Sequence, residues 1–555
     1  MRTQVAIIAG GPSGNSFTKV ILPLETAWAD ADDALALDRV AVEFGDGEAK
    51  AAADECLGRW SALQRDTLQS TELYTRVRAA ENTTAGGSID RALATAWTRR
   101  MRLSGAGVDA GKVDEFIALR DEYARLQSDY DAVMNADPAF VTIGRRDLDG
   151  IPAGVLESGS RKRDGSYSLP VDERTQRLLE FASNESVRKT YWLAREHHAQ
   201  AARRELFARI VEVRDHLAHL LGFFTWDDYR LAGSMAGDSA RVDKVLHAVS
   251  DALSATCAAP WDASFDGPDA LATAADFPVA HAVDGIVQTF AFLFKIRIER
   301  DAGDHAFPNG VIAYRVNDTM TDQPLGELLI RTDSRLAIQS QVNVLLGPRA
   351  LNRPAVVLAT VATVETANGE GFDHAQVSRA FGTLGDALAT MLAATPYETL
   401  NLARPFDFGA ILDQAFADLA WQPDILARVS MDAGGDPMDA DRIAALLATR
   451  KDAERRALRT DVAAAQFDLA AHMSGGFMHW DAEAPVALDT LVHGGDGRTY
   501  ASVWARLYAT DVTAALARLR ATVFAPAGSL DPNIELLRLL GRPANPAAFL
   551  QEFSQ

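Results

Sequence analysis

Helical periodicity over most of the chain is the feature that most restricts its fold. Apolar residues recur with a period near 3.6 through residues 16–140, with interruptions near residues 45–47, 86–87 and 105–107. The same pattern predicts helices within residues 173–221 and again at 238–256, and it dominates the C-terminal part. A chain of 555 residues with this pattern can bury large cores. We therefore predict a mainly α fold with two lobes.

A few segments depart from the helical pattern. Short apolar stretches with β-branched residues predict strands at 310–316, 325–331 and 355–364. A polar, glycine-containing region at residues 145–167 predicts loops and short strands. The sequence thus indicates a small sheet within a helical protein.

The charge of the chain restricts its partners. Acidic residues outnumber basic ones by 76 to 55, which gives a net charge of −21. Such a charge argues against nonspecific binding to nucleic acid or to an anionic membrane. We interpret it as a solvated acidic surface, which could also favour cationic peptides or a basic partner. No apolar run reaches the length of a transmembrane helix.

Cysteine content indicates the compartment. The two cysteines, Cys56 and Cys257, are far apart in sequence and lie within helical patterns. We interpret them as free core thiols in a reducing compartment. The first residues lack the length and flanking charge of a secretory signal. We therefore expect a cytoplasmic protein.

A series of segments in order along the chain carries a family resemblance. They are residues 15–25 (NSFTKVILPLE), 101–108 (MRLSGAGV), 178–199, 213–236 and 536–550. Together they resemble the thimet oligopeptidase/neurolysin family of zinc metallopeptidases. This resemblance implies two helical lobes around a deep channel, with a small β-sheet beside the helix that carries the zinc ligands in that family.

The resemblance also implies a division of the chain. We assign residues 1–170 to an N-terminal helical lobe and residues 171–555 to a metallopeptidase-like catalytic domain.

The metal-binding motif of the family is replaced in this chain. Residues 381–390 read FGTLGDALAT where the family has roughly FHEFGHALH. The resemblance places the two zinc-binding histidines on Gly382 and Asp386, the catalytic glutamate on Thr383 and the third zinc ligand on Ala410. Zinc needs several lone-pair donors, and activation of its water needs a carboxylate. We therefore expect no zinc at these positions, no other cofactor and no peptidase chemistry.

The oxyanion-stabilising loop of the family is altered as well. It corresponds to residues 490–511, where the resemblance leaves Tyr500 as the one retained tyrosine, with His493 nearby. We expect the polar side chains that remain in this region to line the old cleft: His374, Asp407, Asp413, His493 and Tyr500.

Other motifs offer alternative sites. The opening VAIIAGGPSG is similar to a phosphate-binding turn, although an amphipathic helix follows almost at once. Glu212, His216 and His219 share one helical face and could bind a metal ion, or they form a solvated face. A metal recruited to the old cleft could use other histidines there, among them His472 and His479.

The resemblance and the lost motif together lead to a functional hypothesis. We expect a catalytically inactive peptidase homologue that binds a peptide, or that serves as the non-catalytic partner subunit of an active peptidase or of a peptide-modifying enzyme. The alternative is an enzyme with replaced chemistry in the same cleft. Neither hypothesis involves nucleic acid or membrane.

Overall fold

A computed structural model describes most of the chain. The described residues are 1–11, 14–136, 139–151, 153–172, 175, 182–253, 273–301, 310–334, 340–348, 354–366, 369–473, 488–544 and 549. His479 and Cys257 lie outside these residues. Cys56 is described, and its side chain is exposed rather than part of a core, so the expectation of a buried thiol was wrong there.

The first part of the chain is helical, as its periodicity predicts. Its helices are α1 Arg2–Gly10, α2 Ile21–Ala34, α3 Ala36–Phe44, α4 Gly47–Leu68, α5 Thr71–Thr83, α6 Ile89–Leu103 and α7 Val113–Ala136. At the interruption after α6, Gly105 has a φ of +101°, and a Cβ there would lie 2.4 Å from the Phe116 ring. Because α1 is a helix and not a strand, the opening segment lacks the strand that precedes a phosphate-binding turn, which disfavours that alternative.

Short strands and further helices follow. They are β1 Phe140–Ile143, α8 Ala153–Leu156, β2 Ser160–Arg161, β3 Tyr167–Pro170, α9 Glu185–His197, α10 Gln200–Leu220, α11 Trp226–Leu231 and α12 Ser239–Leu253. The strands form an antiparallel sheet in the order β1-β3-β2. This agrees with the loops and short strands predicted for residues 145–167.

A five-stranded sheet forms the β part of the larger core. After helix α13 Val279–Phe294 come β4 Ile296–Arg300, β5 Val311–Asp318, β6 Pro324–Asp333, β7 Gln341–Leu346, β8 Ala355–Ala362, and the hairpin β9 Val364–Thr366 and β10 Gly369–Gly371. The strand order is β4-β5-β6-β8-β7, with β6 and β8 parallel and the other pairs antiparallel. The predicted strands at 310–316, 325–331 and 355–364 are confirmed, and β7 lies at one edge.

The C-terminal part returns to helix. Its helices are α14 His374–Met391, α15 Glu398–Asn401, α16 Phe406–Ala417, α17 Pro423–Val429, α18 Ala440–His472, α19 Leu488–Thr490, α20 Tyr500–Thr513 and α21 Pro532–Leu540. The fold is thus mainly α with a small sheet beside α14, as the resemblance implies.

Helix α14 carries the segment that replaces the metal-binding motif. It begins with a capping box in which the Asp373 side chain accepts from the Gln376 N–H while the Gln376 side chain accepts from the Asp373 N–H. Phe381, Leu384 and Leu388 are fully buried and follow the i, i+3, i+7 spacing of one helical face. Burial of this face outweighs the low helix propensity of the two glycines in the segment. The predicted helix is confirmed.

Close packing of α14 on α16 depends on one of those glycines. A Cβ at Gly385 would lie 2.3 Å from Cδ2 of Phe416. The Phe416 ring in turn packs edge-on against Phe290, with 5.4 Å between ring centroids. The ring therefore occupies the space that any larger residue at position 385 would need, and this fixes the separation of the two helices.

The apolar cores draw on distant parts of the chain. One core combines Phe116 and Tyr130 of α7 with Phe207 of α10 and with Leu491. Another combines the N-terminal helices with Leu400 of α15. The division of the chain near residue 170 stays a prediction.

Candidate functional site

An open cavity of about 850 Å³ lies between α14 and α16. Other elements complete its wall: Gln341 and Val342 of β7, Ala453, Glu454 and Ala457 of α18, and Ser502, Ala505 and Arg506 of α20. The volume is in the range of ligand-binding pockets. The edge strand of the sheet opens directly onto the cavity.

One face of α14 forms the first wall. Arg379, Gly382, Thr383 and Asp386 follow the i, i+3, i+4, i+7 spacing that aligns side chains on a helix, and all four line the cavity. The Thr383 hydroxyl donates to the Arg379 carbonyl of its own helix, at 2.9 Å. Gly382, Thr383 and Asp386 of the replaced motif therefore face an open space, while its apolar residues face the core.

One face of α16 forms the opposite wall. Ala410, Asp413, Gln414 and Ala417 line the cavity with the same spacing. The four positions that the resemblance relates to the zinc ligands and the catalytic glutamate are thus Gly382, Thr383 and Asp386 on one wall and Ala410 on the other. The structure brings all four together.

These four side chains do not fit a zinc ion. Gly382 and Ala410 carry no donor atom, and the Thr383 hydroxyl is engaged with its own helix. The Asp386 carboxylate is the one strong donor among them, and Arg404 already forms an ion pair with it. A zinc site with three protein ligands cannot form from one carboxylate.

Two aspartates face each other across the cavity. The Asp413 carboxyl lies near Asp386 and retains contact with the water of the cavity. The cavity walls remove part of the water around the Asp413 carboxyl, and this desolvation is the main cause that raises its pKa to about 8. The negative charge of Asp386 raises the pKa further, while the positive charge of Arg404 lowers it. Solvent in the cavity screens part of the effect. Asp413 is therefore a carboxyl group that can change its charge near neutral pH.

An aromatic pair forms part of the cavity wall. His374 stacks edge-on against Trp421 with 4.2 Å between ring centroids, and its Nε2 lies 2.9 Å from the Ala420 carbonyl oxygen. An Nε2–H can donate to this carbonyl, which holds the ring in place. His374 thus presents a fixed imidazole face at the wall.

Ion pairs surround the rest of the cavity. Arg506 binds Asp461 at 3.2 Å, and Glu454 binds Arg450 at 2.6 Å. The wall therefore carries both signs of charge, and it offers donors as well as acceptors to a polar ligand.

Asp407 and Tyr500 do not line this cavity. The Asp407 carboxylate is fully buried and accepts the N–H groups of Met235 and Ala236, both at 2.9 Å, and the Tyr500 hydroxyl at 2.8 Å. Burial raises the pKa of Tyr500, so its hydroxyl stays protonated and donates. These two residues tie α16 to α20 and to the segment before α12.

His493 also lies away from the cavity. Its Nε2 is 2.9 Å from Oδ1 of the exposed Asp131 on α7, and its side chain is 43% exposed. Of the five residues expected along the cleft, His374 and Asp413 line the cavity, while Asp407, His493 and Tyr500 do not.

Sequence reasoning missed Arg404, which pairs with Asp386. It lies 18 residues further along the chain, in the loop before α16, and no spacing relates the two. It also missed Arg379, although this residue lies one helical turn before Gly382. The periodicity of α14 was the signal that could have identified Arg379.

The remaining metal alternative from the sequence is not supported. Glu212, His216 and His219 lie on α10 with exposed side chains, and His219 pairs with Asp215 at 3.6 Å. This agrees with a solvated helix face. Among the residues the structure describes, no helix is long and apolar enough to span a bilayer.

Comparisons with known proteins agree with this architecture. A carboxypeptidase of Pyrococcus furiosus has a TM-score of 0.54 at 10% identity, and the alignment covers 98% of each chain. An M32 carboxypeptidase from Deinococcus radiodurans R1 has a TM-score of 0.55 at 12% identity, over 95% of this chain and 97% of that one. PZ peptidase A has a TM-score of 0.55 at 10% identity, and the alignment covers 99% of this chain and 95% of that one. These similarities concern the fold.

Sequence comparison identifies the family. A probable thimet oligopeptidase of Arabidopsis thaliana is 25% identical over 151 residues, which are 27% of this chain and 21% of that protein. The sequence pattern of peptidase family M3 matches residues 178–484, more than half of the chain, including α14, α16 and most of the cavity wall. The chain therefore belongs to peptidase family M3.

Proposed function

We propose that this chain is an inactive member of the family that binds a peptide in the cavity between α14 and α16. The observation that carries the proposal is the set of side chains at the four motif positions. Gly382, Thr383, Asp386 and Ala410 offer a single carboxylate, and Arg404 neutralises it. Peptide hydrolysis by the mechanism of a zinc peptidase needs a metal-bound water and a carboxylate base. The chain supplies neither at these positions.

The surroundings of the cavity support a peptide as the ligand. Strand β7 lies at the edge of the five-stranded sheet, and its first residues, Gln341 and Val342, line the cavity. An edge strand can pair with an extended peptide through its backbone groups. Side chains of both charges are available nearby for the polar groups of such a ligand.

A partner protein is the second part of the proposal. An inactive family member with an intact binding cavity can present a peptide to an active peptidase or to a peptide-modifying enzyme. Co-expression with the proteins encoded next to this chain, followed by size-exclusion chromatography, tests whether such a complex forms.

Turnover and binding by the isolated chain test the first part. We expect no cleavage of a mixed library of unstructured peptides above a no-protein control, as measured by mass spectrometry. We expect saturable binding of some of these peptides by the wild-type protein. Ala410→Phe places a ring in the cavity and should abolish that binding. Ala52→Phe, on the exposed face of α4, is the matched control and should leave it unchanged.

Two results would change the conclusion. Saturable cleavage that disappears in Asp413→Asn would favour the alternative, an enzyme with replaced chemistry in the same cavity. If no peptide binds and no partner coelutes, the binding function is wrong.

A further inference from the structure

A second group of polar side chains is buried outside the cavity. Asp227 of α11 and Asp468 and His472 of α18 have exposed fractions of 1%, 2% and 3%. Their potential ligand atoms all lie within 4.8 Å of one another. His472 Nδ1 is 3.1 Å from Asp468 Oδ1 and 3.9 Å from Asp227 Oδ1. The group joins two helices that are far apart in sequence.

Asp227 is the unusual member of this group. Neither of its carboxylate oxygens has a hydrogen-bond partner among the described residues. Asp468, in contrast, accepts the Gly497 N–H at 3.1 Å and the Thr499 hydroxyl at 2.6 Å. A buried carboxylate without donors is costly. The buried Asp227 carboxylate therefore lacks the hydrogen-bond donors or the cation that would stabilise it.

The charges around the group are also unbalanced. Arg214 and Arg230 both pair with the buried Asp496, each at 3.1 Å. With Asp227 and Asp468 there are three carboxylates for two guanidinium groups, an excess of one negative charge. His472 Nε2 accepts from Arg214 Nη1 at 2.9 Å, so this imidazole is neutral and adds no positive charge.

Protonation of Asp227 would remove the excess negative charge of the group, but it would not supply the hydrogen bonds that this carboxyl group lacks. Burial, and then the charges of Asp468 and Asp496, raises the pKa of Asp227 well above its ordinary value in the metal-free protein. A protonated carboxyl group, however, has an O–H that needs an acceptor. The second Asp227 oxygen would still lack a donor, since neither oxygen has one among the described residues. A cation would satisfy both carboxylates at once.

We propose that Asp227, Asp468 and His472 bind a divalent transition-metal ion of the zinc type as a structural site. Ligand atoms about 2.0–2.1 Å from a tetrahedral zinc ion are separated by about 3.3 Å. The two N–O distances of 3.1 and 3.9 Å lie on either side of that value. Two carboxylates and one imidazole form a donor set that suits such an ion.

Binding of the ion requires one local change. Coordination through His472 Nδ1 moves the ring proton to Nε2, which then cannot accept from Arg214. Arg214 Nη1 then faces an N–H donor and has to move away from it, while Nη2 keeps its partners, the Tyr123 hydroxyl at 2.8 Å and the Leu491 carbonyl at 2.7 Å. Arg230, whose side chain is 19% exposed, keeps the resulting positive charge in contact with solvent. The site therefore couples α11 and α18 to the loop after α19.

Metal analysis of the full-length protein tests this site. The protein is stripped with a chelator, incubated with Zn²⁺, Mn²⁺ or Mg²⁺ and desalted, and bound metal is measured by inductively coupled plasma mass spectrometry. We expect about one zinc per chain and a rise of several degrees in the midpoint of thermal unfolding. Asp227→Asn should lose both effects. Asp386→Asn, in the cavity, is the matched control and should retain both.

Each outcome decides the proposal. Absence of zinc binding by the wild-type chain, or zinc that Asp227→Asn retains, overturns it. Zinc that is lost in Asp386→Asn instead places the metal in the cavity and overturns it as well. If Asp227→Asn does not fold, Co²⁺ bound to the wild-type protein decides. A four-coordinate nitrogen and oxygen site gives intense visible d–d bands, whereas the weak bands of six-coordinate Co²⁺ contradict the proposal.

Discussion

Arg404 determines the charge balance of the cavity at the scale of single residues. It neutralises Asp386, so Asp413 is the carboxyl group left facing the open space. A cationic group of a ligand near Asp413 would favour its ionised form, and the carboxylate would then accept from that group. This arrangement differs from a metal site, in which several donors converge on one point.

The raised pKa of Asp413 predicts a pH dependence of stability. The folded protein holds this proton up to a pH of about 8, whereas the unfolded chain loses it near its ordinary pKa of 3.8. Since the folded state binds the proton more tightly, stability attributable to Asp413 falls as pH rises between these values. Asp413→Asn removes the titration. We expect the variant to gain stability relative to wild type between pH 5 and pH 8 in urea unfolding.

An exposed carboxylate provides the control for that measurement. Asp54→Asn, on the solvent side of α4, should show the same difference from wild type at both pH values. A difference for Asp413→Asn that does not change with pH would show that this carboxyl group titrates normally.

Helix geometry explains which site residues could be predicted from the sequence. Asp407 and Asp413 are six residues apart on α16, so their side chains point in directions about 120° apart around the helix. Asp413 therefore faces the cavity while Asp407 faces the core, and correct helix bounds would have separated them. The position of His493 depends on the path of a loop. No periodicity predicts it.

The separation of α14 and α16 defines the cavity at the scale of elements. Gly385→Ala would gain about 1 kcal/mol of helix propensity but would force its Cβ against the Phe416 ring. Overpacking of a core costs about 1–3 kcal/mol. We expect a net loss of about 1–2 kcal/mol in the free energy of unfolding, measured by chemical denaturation.

Gly382 on the same helix is the matched control. Its Cβ would lie 3.3 Å from the Asp413 carbonyl oxygen and would otherwise face the cavity. Gly382→Ala should be neutral or should stabilise by up to about 1 kcal/mol. If both variants lose the same amount, contact with Phe416 is not the cause.

The bond between Tyr500 and Asp407 holds α16 to α20. A hydrogen bond to a charged group contributes about 1.5–3 kcal/mol. We expect Tyr500→Phe to lower the free energy of unfolding by about that amount. Tyr74→Phe, on α5, should change it little. Equal effects of the two substitutions would contradict a specific role for this bond.

The elements themselves were largely predictable because their signals are local. Periodicity indicated α14 despite its two glycines, and β-branched stretches indicated β5, β6 and β8. Contacts such as Asp386 with Arg404 and Asp407 with Tyr500 join distant parts of the chain, and they depend on how the elements pack.

The net charge of −21 acts at the scale of the whole molecule. A strongly acidic protein attracts cationic ligands over distances that salt screens. We expect the association rate of a lysine-rich peptide that binds the cavity to fall several-fold between 20 and about 300 mM NaCl. A neutral peptide of equal length should show little change in stopped-flow fluorescence. Equal salt dependence of both peptides would rule out electrostatic steering.

The ion pair between Asp386 and Arg404 also bears on the history of the chain. A histidine at position 386 alone would leave Arg404 without its carboxylate and would still lack two zinc donors. Glutamate at position 410 alone would add a third carboxylate to a cavity in which two already oppose each other. Since neither of these two substitutions completes a set of zinc ligands and both disturb the charges of the cavity, a zinc site would require several substitutions together.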